Sequence, residues 1–283
     1  MPNVGLVLSG GFAKGAYQIG VLKAMKEVFG DGEIKYISAS SVGTLNAYSF
    51  VQNKLDVAEN MWRNLNFKGF RSFAKAYMNG TQIVEAIREI EGEFNSIYPN
   101  FYITCLNISK VELNYINLKN VAQSQIKDYL LASVMLPLFS RAIEISGNKY
   151  VDGAMIDNIP VRPLAKHHFD YAVVVHFDNN NYLFENEYFD SKLIKMNFLD
   201  DEIIKTSLSF DQDSVSHMIK CGYEESMTIF DVIFKKGVDD LEYIYQKNKF
   251  INDIRGNKSF RITGDVVLNN LNKVAKKIIS YKI

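Results

Sequence analysis

Twice within its first fifty residues the chain runs from a short apolar stretch, through a cluster of small residues, into a helix-forming segment. Val4 to Leu8 is an apolar run that ends on Ser9-Gly10-Gly11. From Ala16 onward Ile19, Val21, Leu22, Met25, Val28 and Phe29 recur at helical spacing until Gly30-Asp31-Gly32 stops them. Ile34 to Ala39 repeats the pattern, followed by serines and a helical stretch from Val42 to Val51. Such strand–helix–strand–helix order, with strands that do not alternate, predicts parallel strands buried on both faces. Further strands are expected at Phe101 to Ile108, Val111 to Leu118, Tyr150-Val151 and Tyr171 to Phe177, with helices over much of 54–92 and at 125–136. The 47% hydrophobic content of the 283 residues supplies the core such a sheet needs.

Composition excludes more than it assigns. Lys+Arg and Asp+Glu balance at 32 each, which gives no electrostatic case for nucleic acid. Cys105 and Cys221 form no CxxC pair, so neither a disulfide framework nor a thiolate metal site is expected. A strand followed by glycines is not a signal peptide, and no apolar run reaches the length of a membrane span. A cytoplasmic protein is the expectation.

Three stretches carry chemistry. In "YISASSVGTLNAY", residues 36 to 48, a reactive serine at a tight strand-to-helix turn requires small residues two before and two after it. Ser41 alone meets this, with Ala39 and Gly43, although an ordinary N-cap serine would sit the same way. In "SGGFAKG", residues 9 to 15, Phe12 breaks a G-x-G-x-x-G and Ala16-Tyr17 breaks a P-loop. What remains is a glycine loop holding N–H donors at the end of a strand, as an oxyanion hole requires, or a plain tight connection. In "YVDGAMIDNIPVRPL", residues 150 to 164, Asp152-Gly153 follows a short strand; it reads as a turn, or as a carboxylate base for Ser41. None of the four histidines, His167, His168, His176 and His217, lies in a motif of its own.

Together these blocks resemble the patatin-like phospholipase family of acyl hydrolases. "LVLSGGFAKGAYQIGVLKA" is similar to its glycine-rich oxyanion block, "SASSVGTLNA" to its nucleophile elbow, and "YVDGAMIDNIPV" to its aspartate block. The likeness spans about residues 4 to 180 and includes "ASVMLPLFSRAIEISGNKYVDG". The resemblance implies a Ser41–Asp152 dyad, oxyanion amides from Gly10, Gly11 and Phe12, and supporting roles for Lys14, Gly15, Ala39, Gly43 and Gly153. It implies a three-layer α/β sandwich, a mostly parallel central sheet flanked by helices, with no metal or cofactor. The expected domains are a catalytic domain over 1–190 and a helical C-terminal extension over 191–283, acting as cap or lid.

The expected partner is a lipid substrate, reached through contact with a membrane surface; the oligomeric state is left open. Aromatic and basic residues interleave at 66–78, and the aromatic stretch from Tyr182 to Phe189 is a lid candidate. The last segment places Val267, Leu271, Val274 and Ile278 on one face, with Asn270, Lys273 and Lys277 largely opposite, and is expected to pack on the core. Two departures from the family pattern, Phe12 and Ala39 in place of glycine, leave a silent lipid-binding protein of the same fold as a rival. A histidine triad esterase is the other.

Overall fold

The structure, a computed structural model, describes residues 1–30, 34–64, 81–92, 99–137, 141–197 and 211–280. The aromatic–basic stretch at 66–78 lies outside them. Strands β1 (Val4–Leu8), β2 (Ile34–Ala39), β3 (Asn100–Asn107), β4 (Glu112–Asn117), β5 (Ile143–Ile145), β6 (Asn148–Asp152), β7 (Tyr171–His176) and β9 (Leu193–Asn197) form one sheet of order β5-β6-β3-β2-β1-β7-β9, with β4 also on β3. The run β3-β2-β1-β7-β9 is parallel throughout, whereas β4, β5 and β6 run antiparallel to their neighbours. Strands β8 (Tyr182–Phe184) and β10 (Ser259–Arg261) pair separately. The helices are α1 (Gly15–Phe29), α2 (Val42–Val51), α3 (Leu55–Asn64), α4 (Thr81–Ile90), α5 (Gln123–Ala132), α6 (Glu187–Ser191), α7 (Gln212–Ile233), α8 (Leu241–Ile254) and α9 (Thr263–Ser280).

Continuous apolar strands mean two buried faces, and the core divides accordingly. Leu6 and Leu8 of β1 join Val173 and Val175 of β7 in the large core under α1, α2 and α7. Val7, Ala172 and Val174 point the other way, onto Ile159, Val161, Leu164 and Phe169. That second layer is made largely of irregular chain from the loop after Asp152. The protein is thus a mostly parallel sheet between two layers, with a helical C-terminal part.

The lid candidate from Tyr182 to Phe189 instead places Phe184 and Phe189 in the second core layer, with Val7 and Val174. Beyond the boundary expected at 190, β9 is a strand of the main sheet, beside β7. Helix α7 meets α1 backbone to backbone, since a Cβ on Gly20 would stand 2.0 Å from the Ile219 carbonyl and one on Gly222 2.1 Å from that of Tyr17. As expected, α9 lays Val267, Leu271 and Val274 on Leu106, Val151 and Ile156. Asn270, expected on the solvent side, instead donates to the Ile156 carbonyl at 2.9 Å. Among the described residues no helix is long and apolar enough to cross a membrane.

If the α1–α7 crossing belongs to the core, Gly222→Ala will cost about 1–3 kcal/mol through overpacking, read as a lower urea midpoint. An unchanged midpoint would mean that the two helices separate readily.

Candidate active site

The site lies outside the carboxyl ends of β1 and β2, beside the point where the strand order reverses between β1 and β7. Strand β2 ends at Ala39, and Ser41 occupies the turn into α2 with φ 53° and ψ −134°. A non-glycine residue at positive φ is strained by about 1–2 kcal/mol, the mark of a side chain held outward at a sharp turn. The turn is tight for a visible reason: a Cβ on Gly43 would sit 2.7 Å from the carbonyls of Leu8 and Ser9. Ala39 is wholly buried there and its methyl is accommodated. Ser40, the neighbouring serine, is committed elsewhere, sharing a 2.7 Å hydrogen bond with Thr104 and donating to the Asp157 carbonyl at 3.3 Å.

Register brings Asp152 to the same place. Along one edge of β3, Ile103 pairs with Ala39 of β2, and two residues later Cys105 pairs with Asp152 of β6. Asp152 is buried; its Oδ1 accepts the Ala154 N–H at 2.8 Å. Its other oxygen, Oδ2, is also buried and has no partner in well-formed geometry. Burial pushes this carboxyl from its ordinary 3.8 up to about 7, against the pull of the Ser41 hydroxyl and the Ala154 amide. The serine is therefore near enough to act on the carboxylate while the bond between them is not closed, which is common before substrate binds. A Cβ on Gly153 would stand 2.9 Å from Thr104, so the turn after Asp152 lies flat on β3.

The glycine loop closes over the serine. A Cβ on Gly10 would come within 2.8 Å of Ser41 Cβ. Gly10, expected as an oxyanion donor, has its hydrogen-bonding groups occupied. Its N–H donates to Asn158 Oδ1 at 3.0 Å while Asn158 Nδ2 donates back to the Gly10 carbonyl at 3.2 Å, so this amide is spent on a clamp. The Gly11 N–H makes no hydrogen bond among the described residues. Phe12 takes φ 51°, and its side chain is 44% exposed. Lys14 lies over the Phe177 ring at 5.6 Å, near Asp178, and its half-burial lowers its pKa. Gly15 offers its carbonyl to Asn46 Nδ2 at 2.9 Å.

That last bond belongs to a buried chain that sequence reading missed. Trp62 Nε1 donates to Asn46 Oδ1, Asn46 Nδ2 donates to Gln18 Oε1, and Gln18 Nε2 donates to the Ser9 carbonyl, at 3.0, 2.9 and 2.7 Å. It ties α2, which begins at the serine, to α1, which follows the glycine loop. The signal in the sequence is Gln18 between Tyr17 and Ile19, and Asn46 between Leu45 and Ala47, single amides in otherwise apolar stretches.

No histidine is hydrogen-bonded to Ser41 or Asp152. His176 is buried against Tyr182 and Phe184, and that burial holds its pKa down to about 3. His167 stacks on Tyr36 and meets the Tyr102 hydroxyl at 2.8 Å, His217 lies against Cys221, and His168 is exposed.

Sheet, strained serine and facing carboxylate define an α/β protein with a nucleophile-elbow type of site. The family model described as Patatin-like phospholipase matches residues 6–165. The chain belongs to the patatin-like phospholipase family. It is 28% identical over 186 residues to Lysophospholipase NTE1 of Cryptococcus neoformans var. neoformans serotype D, covering 61% of this chain and 11% of that protein. With Lysophospholipase nte1 of Aspergillus terreus it shares 29% identity over 172 residues, 56% of this chain and again 11% of the relative. The chain thus matches about a tenth of the length of these relatives. Among solved structures it is similar to VipD from Legionella pneumophila, with a TM-score of 0.39 and 11% identity over 90% of this chain and 75% of that one. It is also similar to the ExoU–SpcU complex of Pseudomonas aeruginosa, with a TM-score of 0.39 and 16% identity over 89% and 58%.

Two stability predictions follow from strain and burial. Phe12→Gly should be more stable than Phe12→Ala by about 1 kcal/mol, because only glycine adopts this φ without strain; equal urea midpoints would contradict it. Asp152 binds its proton more tightly folded than unfolded, so protonation stabilises the fold below about pH 4, and that contribution is lost as pH rises through about 7. The melting temperature of Asp152→Asn relative to wild type should therefore climb from pH 5 to pH 8. A difference independent of pH would mean that the carboxyl is not held protonated by burial.

Proposed function

We propose that this protein is a serine acyl hydrolase acting on fatty-acyl esters of phospholipids or related lipids, with Ser41 as nucleophile and Asp152 as its base. The observation that carries the reading is a buried carboxylate with an unpartnered oxygen, facing a serine held at positive φ. A pKa near 7 lets Asp152 both accept and return a proton at neutral pH. Family membership and the names of the lysophospholipase relatives support a lipid ester as substrate class.

Asp152 takes the Ser41 proton as the oxygen attacks the ester carbonyl. Charge develops on the carbonyl oxygen and is met by the Gly11 amide, with Phe12 next in the same loop and the N-terminus of α2 behind it. The intermediate collapses, the alcohol leaves with the proton carried by Asp152, and an acyl-Ser41 ester remains. Water, activated by Asp152, then releases the fatty acid. Residues 191–283 are proposed to complete the domain rather than to act as a separable lid.

A fluorophosphonate probe with peptide mapping tests the reading directly: the label should fall on Ser41 and disappear in Ser41→Ala. Hydrolysis of a soluble nitrophenyl ester should drop about 10²–10⁴-fold in Asp152→Asn, the range of a lost general base. In the wild type kcat/KM should rise with pH and reach half its plateau near pH 7, because only the ionised carboxyl accepts the proton. Replacing any of the four histidines should leave the rate within about threefold, well short of the loss of a base. No labelling of Ser41, or a loss of activity with one histidine, would defeat the dyad.

A further inference from the structure

We infer that Arg261 is a positioning residue for the Ser41–Asp152 pair, acting through Asp157 on the turn that joins the base to the Asn158 clamp. The inference rests on the reading of Ser41 and Asp152 as the reacting pair. Residues 153–158 are the short link between them and the glycine loop: Asp152 stands at one end, and Asn158, which holds both sides of Gly10, at the other. Asp157 organises this link from within. Its N–H donates to the Gly153 carbonyl at 3.1 Å, and its own carbonyl accepts the Ser40 hydroxyl at 3.3 Å, one residue before Ser41.

The Asp157 carboxylate is wholly buried and meets two donors from distant parts of the chain. Tyr115 of β4 gives its hydroxyl at 2.7 Å, and Arg261 of β10 gives Nη2 at 3.0 Å. Burial pushes the Asp157 carboxyl up to about 6, with Arg261 and Tyr115 opposing the rise. Arg261 is itself fixed, with its guanidinium 5.3 Å from the Tyr182 ring centre and its carbonyl accepting the Glu185 N–H at 3.1 Å. The same C-terminal stretch grips the link again through Asn270 on the Ile156 carbonyl and through α9 packed on Ile156. Arg261 hydrogen-bonds neither Ser41 nor Asp152, so its effect on chemistry passes through the turn.

Removing one partner of a buried ion pair leaves the other charge uncompensated. Asp157 then protonates or turns toward water, and the turn that aims Asp152 and Asn158 relaxes. Small misplacements of reacting groups are costly in rate, to about 10²-fold per ångström.

The test separates rate from folding. A fluorophosphonate titration counts competent Ser41 sites, and nitrophenyl ester turnover is expressed per titrated site. Arg261→Gln should lower kcat per site about 10–100-fold with KM nearly unchanged, and Arg261→Lys should recover part of that loss. Asp157→Asn with Arg261→Gln should be no slower than the slower single variant, because both act at one point. Tyr115→Phe, a milder change, should slow each site about 3–10-fold, a fraction of that misplacement cost. Lys258→Gln, which removes only the exposed pair with Asp253, should match wild type. Fewer titrated sites that each turn over at the wild-type rate would overturn the inference and make Arg261 an anchor of the fold. If Arg261→Gln yields no folded protein, a wild-type rate per site in Tyr115→Phe overturns it equally. A wild-type protein that the probe does not label would overturn the reading of Ser41 first, and this inference with it.

Discussion

One edge of β3 fixes the site. Its first half pairs with β2 up to Ala39, and its second half pairs with β6 down to Asp152. Two strands that approach the same edge from opposite directions therefore end against each other, one delivering the serine turn and the other the carboxylate. Residues more than a hundred positions apart in the chain are brought together by ladder hydrogen bonds rather than by a flexible loop. A one-residue slip of β6 would turn Asp152 to the other face, so register and chemistry are a single requirement.

Strain has to be offset around such a site. Ser41 and Phe12 both hold positive φ without being glycine, and each conformation survives only where its surroundings over-determine it. Two polar devices supply that constraint. The chain from Trp62 through Asn46 and Gln18 to the Ser9 carbonyl ties the elbow helix to the helix after the glycine loop. The Asn158 amide closes both hydrogen-bonding groups of Gly10. Because these groups are buried and satisfied, they favour one arrangement over any alternative packing. The consequence is visible at Gly10, whose amide is taken up in holding the loop.

What was legible in the sequence was what local pattern controls. The bounds of β1, β2 and α2 follow from apolar runs and small-residue turns, and the tight turn at Ser41 from the spacing of Ala39 and Gly43. Strand β9 was not legible because Lys195 stands in its middle; the lysine is buried only because Asp190 neutralises it at 2.9 Å, a contact set by tertiary structure. β5 and β8 are three residues each, too short to show any period. The boundary drawn at 190 followed a change of composition, whereas the sheet and the α1–α7 crossing continue past it. Roles that depend on partners, such as Asn158 on Gly10 or Arg261 on Asp157, have no signature in spacing at all.

On the proposed reading, a chain with four histidines and none at the serine needs another group whose proton affinity matches neutral pH. A carboxylate in water is too weak a base for a serine hydroxyl, and a charge partner would weaken it further. Here the environment does the opposite. Asp152 is wholly buried beside its β3 partner Cys105 and the Gly153 turn, and the groups that pull on its carboxyl are the Ser41 hydroxyl and the Ala154 amide, not a cation. Burial alone carries it toward 7. The second carboxylate of the same turn, Asp157, has the arginine that Asp152 lacks. Five residues apart, identical side chains are held differently by their neighbours: on the proposed reading Asp152 is the base, and the cation stands beside Asp157 instead.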